Sequence, residues 1–176
     1  MPSYISMLRG INIGKHKRIK MDALKALYAS LGFKKSETYI QSGNVVFECS
    51  ETDIPQLVSR IEDQIKANLG FYVPVLIRRK RDFEKLIKNV PFPTEDPKKL
   101  NIVFLSDAPI DPPIEKLNEL KTDSEEFLIL GKEIYLYSPE GYSNGKLSNN
   151  LFEKKLKLSG TTRNWRTVNA LLEMAG

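Results

Sequence analysis

The strongest constraint on how this chain can fold is the order in which strand-like and helix-like hydrophobic patterns follow one another. Tyr4 to Arg9 (YISMLR) is a short apolar run closed by Gly10, which reads as a strand. Met21 to Leu31 carries Leu24, Leu27, Tyr28 and Leu31 at the spacing of one helical face, with Gly32 as a stop. Thr38-Tyr39-Ile40 and Val45-Val46-Phe47 are β-prone runs on either side of Gln41-Ser42-Gly43-Asn44, a hairpin signature. Asp53 and Pro55 open a second helix with Ile54, Leu57, Val58, Ile61 and Ile65 on one face, and Gly70 ends it before a strand at Val73 to Ile77. The resulting order, βαββαβ, is that of a ferredoxin-like, split-βαβ sheet with spatial order 4-1-3-2. Pro74, near the start of the last strand, suits the edge position that this order assigns to it.

The second half repeats the theme. Asp82 is expected to cap a linking helix with Phe83, Leu86, Ile87 and Val90 apolar, and Pro91, Pro93 and Pro97 mark an irregular connection. Leu100 to Leu105 reads as a strand, and Pro113 starts a helix with Ile114, Leu117 and Leu120 inward. Phe127 to Leu130 and Ile134 to Tyr137 flank a Gly131-Lys132 turn, and Ser148 caps a helix through Leu156. A last helix is expected from about Asn164 to Met174, in the place of a fourth strand. The expectation is an α+β protein with two subdomains of repeated βαββα order. Residues 1–81 form the ferredoxin-like subdomain, 82–99 a linking helix and Pro-rich connection, and 100–176 a second α+β subdomain with a C-terminal helix.

A chain of 176 residues can bury a core without staples, and its one cysteine, Cys49, excludes an intrachain disulfide. The opening MPSYISMLRGINIGKHKR has no signal-peptide pattern, and the longest apolar runs are far short of a membrane span, so a cytoplasmic protein with no membrane partner is expected. Residues 1–81 hold 14 Lys/Arg against 7 Asp/Glu, whereas residues 82–176 hold 13 against 15. The first half would therefore attract anions; solubility alone would also account for the excess.

In βαββαβ, the first two strands run parallel, so the loop after the first and the turn after the second emerge at the same sheet end. That end collects Arg9, Gly10, Asn12, Gly14, Lys15, His16, Lys17 and Arg18 from one segment and Gln41, Ser42, Gly43 and Asn44 from the other. The first helix starts there too, with free N–H groups and the positive end of its dipole. Such a set could hold a phosphate, a carboxylate or a nucleotide. Taken singly, each residue has a structural alternative: Gly43 for the hairpin, Asn12 for a side-chain-to-backbone turn, Gln41 for solvent. GINIGKHKR lacks the spacing of a P-loop and of a dinucleotide fingerprint.

LRGINIG with Met21 shortly after, TYIQSGNVVF at 38–47 and TTRNWRTV at 161–168 together resemble the bacterial family catalogued as domain of unknown function 1697. Lys15 stands where a second glycine is common in that family's opening. The resemblance implies a two-part α+β fold and no established activity. It marks Arg9, Asn12, Gln41, Ser42, Gly43, Asn44, Thr162, Arg163, Asn164, Trp165 and Arg166 as signature positions. In TTRNWRT itself, Thr161 or Thr162 could cap the last helix. Arg163 and Arg166, three apart beside Asn164, could clamp an anion from one helix face or form structural ion pairs.

His16 is the only histidine, which argues against His-based zinc sites and Ser-His-Asp triads; no residue spacing suits a metal, and no cofactor is expected. Cys49 reads as a small apolar residue, and Glu95-Asp96 and Glu125-Glu126 as solvated carboxylates. Arg78-Arg79-Lys80-Arg81 reads as the solvated exit from an edge strand, or as a second contact for a polyanion. Three readings remain open: a small anionic ligand or nucleotide at the sheet end, a nucleic acid on the basic first half, or a protein-interaction module without a ligand.

Overall fold

The computed structural model describes residues 1–176 and contains two four-stranded antiparallel sheets and six α-helices. The first half runs β1 (Ser3–Leu8), α1 (Met21–Ser30), β2 (Lys34–Thr38), β3 (Asn44–Glu48), α2 (Ile54–Leu69), β4 (Val75–Arg79) and α3 (Lys80–Lys88). The second runs β5 (Leu100–Leu105), α4 (Ile114–Leu120), β6 (Glu126–Leu130), β7 (Glu133–Tyr137), α5 (Asn149–Leu156), β8 (Gly160–Asn164) and α6 (Trp165–Met174). The sheet orders are β2-β3-β1-β4 and β6-β7-β5-β8, the same arrangement twice and the 4-1-3-2 order expected for the first. The chain divides into two compact units, Met1–Leu86 with Ala170–Gly176, and Ile87–Asn169.

In the first unit, the helix-facing side of the sheet carries Tyr4, Leu8, Val45, Phe47, Val75 and Ile77 against Leu24, Leu27 and Tyr28 of α1 and Leu57, Ile61 and Ile65 of α2. Phe47 is the hub: its ring lies 4.5 Å from Phe33, 5.5 Å from Tyr28 and 5.6 Å from Tyr4. Fully burying side chains of this size contributes roughly 1.5–3 kcal/mol each. Ser6 shares this side of β1 and is buried, a polar group in an apolar layer; it hydrogen-bonds the Tyr28 hydroxyl at 2.6 Å. The other face carries Ile5, Met7, Val46 and Leu76, which are also buried. Helix α2 starts where Asp53 accepts the Gln56 N–H and stops where Gly70 turns left-handed at φ 80°.

The structure corrects the expected elements at four places. β2 lies at 34–38, not at Thr38-Tyr39-Ile40. It is an edge strand, so its KKSET sequence keeps only Ser36 buried and carries no apolar alternation to betray it. Residues 160–164 form β8, the fourth strand that the sequence left to a helix, paired antiparallel with β5 from Asn101↔Asn164 to Leu105↔Gly160. α6 therefore begins only at Trp165, and its first turn is capped by Asn164, whose Oδ1 accepts the Thr167 N–H at 2.8 Å; neither Thr161 nor Thr162 caps it. The Arg78-Arg79-Lys80-Arg81 run is not a solvated exit. Arg78 and Arg79 belong to β4, Arg78 is 7% exposed, Arg79 donates to the Thr52 carbonyl, and Lys80 donates to the Gly176 carbonyl. Finally, Glu125 is not a solvated carboxylate. It is 1% exposed and accepts the N–H groups of Thr122 and Lys146, both at 2.9 Å, and of Leu147 at 3.3 Å.

The repeat extends to individual residues once β8 is recognised. Arg78 pairs with Ile5, the third residue of β1, and Arg163 with Ile102, the third residue of β5. Both arginines are buried next to the strand end, and each strand passes directly into a helix whose start is tied by an acidic or amide side chain, Asp82 to the Arg79 N–H and Asn164 to the Thr167 N–H.

Two stability predictions follow from the buried polar groups. Glu125→Gln leaves at least one of three amides without its charged acceptor, and urea unfolding should show a loss of about 1–3 kcal/mol. Burial pushes the Tyr28 hydroxyl far above its ordinary 10.0, partly offset by the Ser6 hydrogen bond. The raised folded-state value means that stability is fully present below pH 10 and falls as pH rises above it, by about 1.4 kcal/mol per pH unit from this residue. Tyr28→Phe should therefore lose about 1–3 kcal/mol at pH 7 through the orphaned Ser6 hydroxyl, yet decline less steeply than the parent in alkaline urea titrations.

Candidate functional site

β1 ends between its two neighbours: the Leu8 N–H donates to the Gly43 carbonyl and the Arg9 N–H to the Pro74 carbonyl, both at 2.9 Å. The chain must then turn out of the sheet and cross to the start of α1, and Asn12 organises that crossing. It adopts a left-handed backbone, φ 56°, a conformation that asparagine tolerates better than most residues. Its Nδ2 donates to the Ile19 carbonyl at 3.0 Å and to the Gln41 carbonyl at 2.8 Å, while its Oδ1 accepts the Ile19 N–H at 2.8 Å. One side chain thus closes the 12–19 loop and ties it to the β2–β3 turn. Ile19, buried at the end of the loop, and Ile11, buried at its start, anchor it to the core.

The turn is organised in the same way. Asn44 is fully buried; its Nδ2 donates to the Tyr39 carbonyl at 2.8 Å and to the Ser42 hydroxyl at 3.2 Å, and its backbone carbonyl accepts the Tyr39 N–H. Gly43 sits at φ 90°, and a Cβ there would come within 2.5 Å of Ile11 Cδ1. Glycine is therefore required twice, by its backbone angle and by the close approach of the first loop.

Parallel β1 and β2 bring the two segments to the same rim, as the topology argument expected: β1 and β2 each pair antiparallel with β3, and Asn12 meets Gln41. The roles within the rim differ from a simple ligand list. Asn12 and Asn44 spend their side chains on backbone groups. Arg18 donates to the Asn12 and Gly14 carbonyls at 3.3 and 3.2 Å, holding the loop tip. Lys15, His16 and Gln41 are exposed, and Arg9 and Ser42 are half-buried. Residues 1–21 contain no Asp or Glu, so Arg9, Lys15, Lys17, Arg18 and Lys20 share one rim with no carboxylate from their own segment. The first turn of α1 has no side-chain cap, and it carries Asp22, whose charge partly offsets the helix dipole there. The rim thus carries a local excess of positive charge.

The second set of candidates is not arranged as one helix face. Arg163 is in β8, 6% exposed, donating to Thr161 Oγ1 at 2.7 Å and to the Thr162 carbonyl at 3.0 Å; burial lowers its pKa to about 10, which leaves it charged at neutral pH. Asn164 is the helix cap, Trp165 is buried, and Arg166 is exposed on α6. The strand–helix boundary falls between the two arginines, so they form no (i, i+3) clamp. Thr162 donates to Asn149 Oδ1, whose amide donates to the Gly160 carbonyl, joining α5 to β8. No group of three or more His, Cys, Asp or Glu side chains could hold a metal ion. No helix is long and apolar enough to cross a membrane.

Asn12→Ala removes three hydrogen bonds to backbone groups and a longer one to Gln41 Oε1, and leaves a non-glycine residue at positive φ, so it should cost about 1–3 kcal/mol in urea unfolding and raise amide hydrogen exchange at Ile19. Gly43→Ala should cost at least as much, whereas Gln41→Ala, which is exposed, should leave stability within about 0.5 kcal/mol.

Among solved structures, the chain is similar to conserved bacterial protein SP0830 from Streptococcus pneumoniae, at 24% identity over 99% of each chain and a TM-score of 0.73, a likeness that shows the fold. A search of curated proteins finds no match. The sequence profile of the family described as Protein of unknown function (DUF1697) matches residues 1–135, and the chain, carrying that family's sequence on a doubled βαββαβ frame, belongs to it.

Proposed function

We propose that the rim made by residues 9–20 and 39–43 binds the anionic group of a small ligand, a phosphate or carboxylate such as a nucleotide carries. The observation that carries the reading is the pair of short hydrogen bonds from Asn12, to Ile19 and to Gln41, which holds a carboxylate-free, cation-rich loop against a turn with an exposed amide and a hydroxyl. In this reading Asn12 organises the site and is not itself a ligand. Arg9 and Lys15 supply charge, and Gln41 and Ser42 supply directional hydrogen bonds; the start of α1, where Asp22 already meets the dipole, is not needed for the reading. Three or four such contacts, each worth about 1.5–3 kcal/mol before binding entropy, correspond to micromolar to millimolar affinity. A cytoplasmic setting, with its supply of phosphorylated small molecules, suits a site of that strength.

Thermal-shift screening against nucleotides, phosphorylated metabolites and inorganic phosphate, followed by titration calorimetry on hits, tests the proposal. The parent should respond, and Lys15→Ala and Gln41→Ala should each weaken binding about tenfold, or ~1.4 kcal/mol, without changing the unliganded melting temperature. Silence across the panel, or hits unaffected by both substitutions, would remove the rim as the site. The salt dependence separates a small anion from a nucleic acid: a polyanion engaging about five cations would show a slope of log K against log[salt] near −4.5.

A further inference from the structure

Ile13 and Ile40 are 71% and 48% exposed, and both lie on the rim. Exposed apolar side chains scattered singly are ordinary. These two are brought together: Ile13 follows Asn12, Ile40 precedes Gln41, and the Asn12 amide donates to the Gln41 carbonyl at 2.8 Å. Ile40 is also the residue that its turn least explains. Its backbone is left-handed, φ 51°, which crowds Cβ against a carbonyl oxygen and is an outlier for a β-branched side chain. Asn12, Lys17, Lys35, Asp111 and Lys157 share that backbone region, and none of them branches at Cβ. The turn takes from Ile40 only its carbonyl, which accepts the Gly43 N–H at 3.4 Å, and any residue supplies a carbonyl. Asparagine or glycine would close the same turn with less strain. Nor does the core call for isoleucine here, since Ile40 lies outside the packed cluster of the first unit and nearly half of it faces solvent. Strained residues of this kind gather at ligand contacts.

We propose that the rim takes an organic anion with an apolar body: the charged group meets Arg9 and Lys15, and the body lies across Ile13 and Ile40. The inference rests on the rim's being an anion site, and it narrows the class of ligand. A bare phosphate, or one on a polyhydroxylated carrier, would satisfy the cations and leave both isoleucines in water. A nucleobase or a short alkyl chain would cover them, and removing that much apolar surface from water raises affinity about tenfold. The spacing suits a small molecule. Ile13 and Lys15 are two residues apart in the chain, a span of at most about 7 Å, so a ligand the size of a nucleoside monophosphate reaches both. Ile40 faces the same ligand from the turn, which the Asn12 hydrogen bond holds beside the loop.

Amide NMR titrations of the full chain with adenosine monophosphate, butyl phosphate, glycerol phosphate and inorganic phosphate provide the test. Adenosine monophosphate, butyl phosphate or both should bind about tenfold more tightly than the two polar probes, with shifts at Ile13 and Ile40. Which of them does so tells a base from an alkyl chain. Ile13→Ser and Ile40→Asn should each reduce that preference about threefold, with the affinity for inorganic phosphate kept at the parent value. Because asparagine tolerates the left-handed backbone, Ile40→Asn should also melt about 2–4 °C higher than the parent. Equal binding of all four probes would overturn this inference and leave the rim an anion site, whereas no binding by any of them would overturn both. A preference that survives both substitutions, or an Ile40→Asn protein that melts below the parent, would assign the isoleucines to the fold and overturn the inference.

Discussion

Where a sheet of this order stops, its backbone N–H and C=O groups must still find partners, and in this chain polar side chains supply them. Asn12 and Asn44 do so at one end of the first sheet, Glu125 under the 141–147 loop, Asn149 between α5 and β8, and Asp82 and Asn164 at the two places where a strand runs straight into a helix. An unpartnered buried amide or carbonyl costs as much as a hydrogen bond or more. These few side chains therefore decide which loop conformations are available, and the apolar layers of Tyr4, Phe47 and Leu57 or of Val103, Leu136 and Phe152 do the rest.

The same constraint explains why the candidate rim has a mixed character. A loop that binds an anion must hold its donors in place before the ligand arrives, since ordering them afterwards would subtract from a modest affinity. Asn12 and Arg18 spend their hydrogen-bonding capacity on loop carbonyls, as the proposed site would require, and Gly43 lets the two segments approach to contact. The side chains left to face solvent, Lys15 and Gln41, are those that the frame does not need. The residues that organise the rim and the exposed ones proposed as its ligand contacts are thus neighbours in sequence and equally polar, and only coordinates separate them.

Duplication of one frame also shows which properties belong to the fold and which to each copy. The buried arginine near the end of the fourth strand, the direct passage into a helix and the side chain that ties that junction recur in both halves. The strands at β2 and β6 do not recur: one is charged and bulged, the other apolar and regular. Edge strands have one side free of pairing, so their sequences can diverge without disturbing the sheet.

Periodicity by itself determined the order of elements through β7, the limits of α2 and α5 and the shared rim, because central strands buried on both faces and amphipathic helices leave patterns that no other arrangement would satisfy. It misplaced β2, which lies at 34–38 and not at 38–40, and missed β8; KKSET and GTTRN carry little apolar signal, since an edge strand is stabilised by a neighbour's backbone more than by its own side chains. Two spacing-based readings failed for a related reason. Arg163 and Arg166 are three apart on a helix only if both are helical, and Glu125 is solvated only if nothing brings Lys146 and Leu147 onto it. Tertiary structure decided these points because the partners lie on strands and loops distant in sequence, and local spacing carries no information about them.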